Sequence, residues 1–294
     1  MINNKGIKIF YLFNYMFISL VVLICVLPFI NIIALSFSSE HAVASGWVGL
    51  WPVEATAFTY KTVFTASQVI PAMRNTVWVT LVGTAINILL TTLAAYSLSK
   101  PRLRGRNFFL LTITITMLIN AGTIPNFILI RQLGLFNTYY SLWLPGAIST
   151  YNMIVLKTFF QAIPDSLAES ASIDGASELR ILTQIIVPLS LPSLATITLF
   201  YAVGHWNAYY NVMLYINKSS MYTLQRVLRD LINMQSLDAI RTAANIDSTD
   251  MQQPIAAESI KSAAIVIATV PILAVYPFLQ KYFVKGVMVG SIKG

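Results

Sequence analysis

Six stretches of this chain, at roughly 11–36, 75–98, 108–130, 140–160, 190–216 and 262–283, are predominantly apolar and contain no Asp or Glu. Each is long enough to cross the hydrocarbon core of a bilayer as a helix, which takes about 20 residues. Backbone that enters lipid must satisfy its own N–H and C=O groups, so the stretches predict helices and the chain reads as an all-α integral membrane protein with six spans. Charge usage agrees, since only 10% of residues are charged, against about 25% in an ordinary soluble domain.

The formal net charge is +8, from 19 basic and 11 acidic residues. Those charges lie between the apolar runs and do not form one patch, which argues against a nucleic-acid partner. The first run follows Lys5 and Lys8 and precedes Ala42-Val43-Ala44, as a secretory leader would. Its apolar stretch greatly exceeds the 7–15 residues of a leader's core, so it reads as a retained span. Cys25 is the single cysteine; with only His41 and His205 beside it, no metal site is expected.

Basic residues near helix ends stay on the cytoplasmic side. Lys100, Arg102, Arg104 and Arg106 crowd the second connection, so six spans place both termini in the cytoplasm. The scheme leaves 37–74 and 217–260 as large external loops, 161–188 as the one large cytoplasmic loop and 284–294 as a cytoplasmic tail. The stretch from Tyr222 to Ile240 reads as a helix with Leu224, Val227, Leu228 and Leu231 on one face, expected to reach toward an external partner. All 11 carboxylates fall in loops, which disfavours a proton-coupled carrier, while sodium coupling through carbonyls and hydroxyls stays open. No Gly-Lys pair occurs anywhere, so the chain lacks the phosphate-cradling loop of nucleotide hydrolases. If transport is energised, the engine is therefore another protein, and 161–188 is where a soluble partner would find a surface.

That loop reads as two short helices around a glycine. Pro164 starts the first, Asp174 is a candidate cap for the second, Gly175 permits angles other residues resist, and Pro188 and Pro192 open the next span. Ser170, Ala171, Ser172, Gly175 and Ala176 would let another backbone come close. Leu179, Ile181, Leu182, Ile185 and Ile186 need a partner or membrane surface to bury them.

Glu169, Ala171, Asp174, Gly175, Ala176, Pro188, Leu189 and Pro192 resemble the signature E-A-A-x-x-D-G-A followed by P-L-x-x-P. This is the signature of binding-protein-dependent ABC importer permeases, with Ser170 in place of one alanine. The resemblance runs from about Pro28 to Gly294 and is greatest to the maltose-type carbohydrate permeases, including their C-terminal tail. It also covers Ile124-Pro125, Leu133-Gly134-Leu135, Tyr151-Asn152 and His205-Trp206-Asn207. In several details it resembles a branch for complex or plant-type oligosaccharides.

The resemblance implies a type I ABC importer permease fold in the cytoplasmic membrane. It implies a second, homologous permease, an ATPase dimer that binds ATP and Mg, and an extracytoplasmic sugar-binding protein. Glu169, Ser170, Ala171, Asp174, Gly175, Ala176 and Leu179 would then dock on the ATPase, with Glu169 facing a basic group and Gly175 shaping the turn. Lys285, Gly286, Gly290 and Lys293 of the tail would reach the ATPase interface; the alternative is a frayed terminus. Asn120, Asn126, Asn152, Trp206, Asn207, Tyr210 and Asn211 are candidate substrate-path residues, since sugar sites combine aromatic faces with amides. The alternative is interfacial anchoring by the aromatics and helix bridging by the amides. The function expected is therefore half of an import pathway for a sugar or oligosaccharide, without enzymatic activity of its own. The rivals are a related permease for a non-sugar nutrient and an ion-coupled secondary carrier.

Overall fold

A computed structural model describes residues 5–65, 68–119, 121–243 and 257–291. Its regular elements are all helical: α1 (Lys5–Ser36), α2 (Glu40–Ala44), α3 (Phe58–Thr65), α4 (Val69–Ser99), α5 (Arg106–Leu118), α6 (Thr123–Gln132), α7 (Tyr140–Trp143), α8 (Thr150–Gln161), α9 (Asp165–Ile173), α10 (Glu178–Ile181), α11 (Val187–Leu189), α12 (Leu191–Trp206), α13 (Tyr210–Tyr215), α14 (Leu224–Ala243) and α15 (Ala257–Ser291). Three contain stretches long and apolar enough to cross a membrane unaided, Phe10–Ser36, Val69–Ser99 and Glu258–Val275. Two more spans result if α5 with α6, and the 178–189 helix with α12, each count as one bent segment.

The chain divides into two compact units. Met1–Val69 with Leu228–Pro271 form the first. Here α1 exposes almost its whole apolar surface, as a helix bathed in lipid does. The polar end of α1 is tied to α3 by the Ser36 Oγ–Tyr60 Oη hydrogen bond of 2.8 Å and by the Phe37 and Tyr60 rings, 4.7 Å apart. Burial raises the Tyr60 phenol above its usual pKa, partly offset by the Ser36 bond. In α15 the buried face is made of Ser259, Ile260, Ser262, Ala263, Ala264 and Ile267. Small residues at helical spacing let backbones approach where lipid offers no hydrophobic drive between helices.

Ile70–Val227 with Ile272–Gly294 form the second unit. One core cluster gathers Ala95, Tyr96 and Leu98 of α4, Met153, Leu156 and Phe160 of α8, and Leu194, Ile197 and Tyr201 of α12. A second gathers Val79, Ile130, Leu142, Trp143, Val212, Tyr215 and Ile216, with Trp143 Nε1 donating to the Val79 carbonyl at 3.2 Å.

Three of the predicted spans are interrupted. The 108–130 stretch parts into α5 and α6, with Gly122 at a positive φ of 86° before α6. The 140–160 stretch parts into α7 and α8 around non-helical residues near Pro145 and Gly146. The 190–216 stretch parts into α12 and α13, with Asn207 ending the former. At the C-terminus α15 continues as helix past Phe283 to Ser291 and carries Lys285, Gly286 and Gly290; Lys293 lies outside the described residues. The predicted helix from Tyr222 is α14, which starts at Leu224. On the expected apolar face Leu224, Val227 and Leu228 are buried and Leu231 half-buried.

Candidate coupling site

The loop after α8 is built by a helix ending whose chemistry explains most of its signature. Helix α9 stops at Asp174, and Gly175 follows at φ +80°. The Ala176 N–H donates to the Ala171 carbonyl at 2.9 Å and the Gly175 N–H to the Ser172 carbonyl at 3.1 Å. This is the Schellman ending, which needs a left-handed residue at Gly175 and favours an apolar contact between the residues at the two ends of the longer bond. Those residues are Ala171 and Ala176, both packed on the first core cluster. A β-carbon on Gly175 would meet nothing within 4 Å, so the glycine is required by backbone angle and not by space.

The sequence suggested Asp174 as cap of the second helix; the structure gives that role to Ser177. Residues 174–176 are used by the turn, which leaves Ser177 extended, with its Oγ accepting from the Arg180 N–H at 3.4 Å. From there α10 leads into a π-helical turn over Leu182–Ile186, closed by the Val187 N–H donating to the Leu182 carbonyl. Pro188 supplies the reason, because its ring crowds the carbonyl four residues back and it has no N–H to give. The run then bends by 87° into α12.

The apolar residues of this second helix were expected to need an outside partner. Ile181, Leu182 and Ile186 instead close the chain's own core, at 3–5% exposure. Leu179 remains open at 64% and Ile173 at 86%. Glu169 and Ser170 are exposed, Ala171 half-buried, and Asp174 and Gly175 exposed.

Sequence reading missed what the loop rests on. Tyr96, near the end of α4, donates from its Oη to Glu178 Oε2 at 2.5 Å. Lys100 Nζ lies 3.7 Å from the same oxygen and 4.7 Å from the Tyr96 ring centroid. Arg102 reaches Glu169 at 3.8 Å, with both side chains largely exposed, so that pair is weak by itself. Between the two connections lies a cleft of about 530 Å³ lined by Lys100, Arg102, Asp165, Glu169, Ser172 and Glu178, among others. It presents both signs of charge beside the open apolar side chains of Ile173 and Leu179, which suits docking of a protein surface more than chemistry on a small molecule.

Deeper in the same unit, α4 and α12 hold the break before α8. Asn87 Nδ2 donates to the Gly146 and Ala147 carbonyls at 2.8 and 2.9 Å. Both amide protons are thereby used, so Asn87 Oδ1 accepts and His205 Nε2, 2.6 Å away, carries the proton. Tyr201 Oη accepts from the Ser149 N–H at 2.9 Å and bonds Thr91 Oγ1 at 2.7 Å. Non-helical backbone at membrane depth survives only with such partners. Gly83 is what admits the histidine: a β-carbon there would lie 2.5 Å from Nε2.

The candidate path residues are dispersed. Tyr210 is exposed and meets Thr123 at 3.2 Å, one turn before the exposed Asn126. Asn207 and Asn211 are exposed, Trp206 half-buried and Asn152 buried. Asn120 lies outside the described residues.

Helices long and apolar enough to span a membrane, and a capped loop that bends by 87° into α12, are the parts of an integral membrane component. Residues 78–289 match the binding-protein-dependent transport system inner membrane component family, and the chain belongs to it. It is 44% identical to Protein LplC of Bacillus subtilis (strain 168), covering 99% of this chain and 97% of that one. It is 42% identical to the polygalacturonan/rhamnogalacturonan transport system permease protein YtcP of the same organism, covering 98% and 99%. Among solved structures, it superposes on a chain of a bacterial ABC transporter involved in the import of the acidic polysaccharide alginate. That match has a TM-score of 0.85 and 32% identity, and covers 96% of this chain and 99% of that chain. The chain is thus a transport subunit and not an enzyme.

Proposed function

We propose that this chain is one of two homologous permease halves of an ATP-driven type I importer in the cytoplasmic membrane, and that its cargo is an oligosaccharide, of the acidic kind in particular. The observation that carries the proposal is the loop over 164–192. Its Schellman turn, exposed Glu169 and open Leu179 make a preformed knob on the membrane protein. An ATPase dimer holding ATP and Mg docks there, and the end of α15 with the residues beyond it reaches toward the same partner. Six spans with both termini cytoplasmic place this knob inside and the loops at 37–74 and 217–260 outside, where a sugar-loaded binding protein delivers cargo. Tyr210, Asn126, Asn207 and Asn211 are exposed; with Asn120, Asn152 and Trp206 they are the residues offered to the sugar. The acidic cargo is supported by two relatives, one a permease for polygalacturonan and rhamnogalacturonan and one from a transporter that imports alginate.

The test is co-purification with the ATPase and second permease, followed by binding-protein-dependent ATP hydrolysis in lipid with oligogalacturonate or a neutral oligosaccharide. Gly175→Pro cannot adopt the positive φ and loses the N–H given to Ser172. The expected result is loss of ATPase docking with the permease pair intact, and stimulation by the acidic oligosaccharide in the wild type alone. An ATPase that neither binds nor responds, with ion-driven flux through the purified chain, would overturn the importer reading. Stimulation by the neutral sugar alone would overturn the cargo.

A further inference from the structure

The first connection of the chain, between α1 and α3, does not simply extend away from the membrane. After α1 ends at Ser36, α2 is capped by Ser39, whose Oγ accepts from the Ala42 N–H at 3.3 Å. It closes in a second Schellman turn, with Gly46 at φ +71° and the Trp47 N–H donating to the Ala42 carbonyl at 3.1 Å. The chain then doubles back. Asn31, inside α1, donates from Nδ2 to the Gly49 carbonyl at 2.6 Å. By Val53 the chain has returned to the helix end, where its N–H meets Ser38 Oγ at 3.0 Å and its carbonyl takes the Ser39 N–H at 3.1 Å.

The depth of this excursion follows from helix geometry. Asn31 lies five residues before Ser36, so Gly49 is held about 7.5 Å back along the helix axis. The apolar stretch Phe10–Ser36 has 27 residues and a length of about 40 Å, roughly the full bilayer with its headgroup layers. With Ser36 at the outer edge of the headgroups, Gly49 sits near the boundary between headgroups and acyl chains. Residues 46–53 carry no charge: Gly-Trp-Val-Gly-Leu-Trp-Pro-Val. Trp47, Leu50 and Trp51 point outward at 63%, 44% and 81% exposure. Trp47 is braced against the His41 ring at 5.4 Å, so its position is set by α2. The turns of α1 on either side of Asn31 expose Leu27, Ile30 and Ile33. Tryptophan is the side chain most suited to this level, with an apolar body and one N–H for the wet side.

We infer that the 46–51 segment is a membrane-interface anchor, with Trp47, Leu50 and Trp51 inserted among the headgroups and upper acyl chains of the leaflet at the C-terminal end of α1, and with Asn31 as the strap that sets its depth. The occupant of this surface is lipid, and neither cargo nor binding protein. The excursion stops at Asn31 because its irregular backbone needs the water of the headgroup layer.

The experiment uses the importer complex reconstituted in vesicles. Trp51 is kept as this chain's one tryptophan by changing Trp47, Trp78, Trp143 and Trp206 to Phe, and its emission, taken as the difference from the same complex with Trp51→Phe as well, is read in lipids brominated at shallow or deep acyl positions. Strong quenching by shallow bromines, weak quenching by deep ones and weak quenching by aqueous iodide are expected. Because Trp143→Phe removes a buried hydrogen bond, a second reporter avoids it: Leu50→Cys with Cys25→Ala, carrying a nitroxide compared for access to oxygen and to a water-soluble nickel chelate. Asn31→Leu should shift that nitroxide toward the chelate. Iodide access without bromine quenching would overturn the inference. So would a Trp51 response to oligogalacturonate or to binding protein in place of lipid.

Discussion

Tyr96 and Glu178 are 82 residues apart in sequence and share a hydrogen bond of 2.5 Å, phenol to carboxylate. The bond joins the C-terminal end of α4 to the first turn of α10, and so ties the loop after α8 to a helix of 31 residues. About nine residues earlier on α4, Asn87 holds the broken segment before α8. The loop and the break before α8 are thereby fastened to one and the same helix.

Tyr96→Phe should therefore leave ATPase docking in place while lowering transport per ATP hydrolysed. The ring stays in its apolar cluster, so thermal stability should fall by about 1 kcal/mol, the value of one bond to a partly solvated charge. Parallel measurements of hydrolysis and uptake in vesicles decide the matter, and an unchanged ratio would remove Tyr96 from the linkage.

Gly175→Ala separates angle from space. Nothing lies within 4 Å of the added carbon, so its cost is that of a left-handed alanine, about 1–2 kcal/mol. The variant should dock its ATPase with affinity reduced no more than about thirtyfold, whereas Gly175→Pro should not dock. Equal loss in both would mean that the turn itself is not what the partner reads.

How much of this was legible in the sequence depends on range. Gly175 could be read directly, because a glycine after small residues and before a new amphipathic stretch has one dominant use, and Pro188 and Pro192 marked the bend. The register between them was not legible. That Ser177 and not Asp174 caps α10 follows only once the Schellman turn has used residues 174–176. Tyr96 with Glu178 and Asn87 with His205 join residues 82 and 118 positions apart, and periodicity says nothing about such pairs. The interruptions near Gly122, Gly146 and Asn207 were hidden for another reason. Hydropathy registers that a stretch is apolar, but not that neighbouring helices satisfy a break within it.

Asn87→Leu should test that last point. It removes two donors from the Gly146 and Ala147 carbonyls and takes the side-chain acceptor Asn87 Oδ1 away from His205 Nε2. A loss of about 1–3 kcal/mol per stranded group is expected, seen as a clear fall in melting temperature in detergent. The exposed Asn211→Leu should do much less. Similar losses in both would show that the network does not hold the break.

Gly83→Ala probes the same network by crowding. Its β-carbon would stand 2.5 Å from His205 Nε2, on a ring already fixed by Asn87. The ring or the helix must shift, at a cost of about 1–3 kcal/mol. Because the clash is with that one side chain, His205→Ala in the same protein should recover part of the loss, and the two substitutions should be strongly non-additive. Unfolding measured for the wild type, both single variants and the double variant would decide it: additive losses would mean that Gly83 serves the packing of α4 in some way unrelated to the histidine.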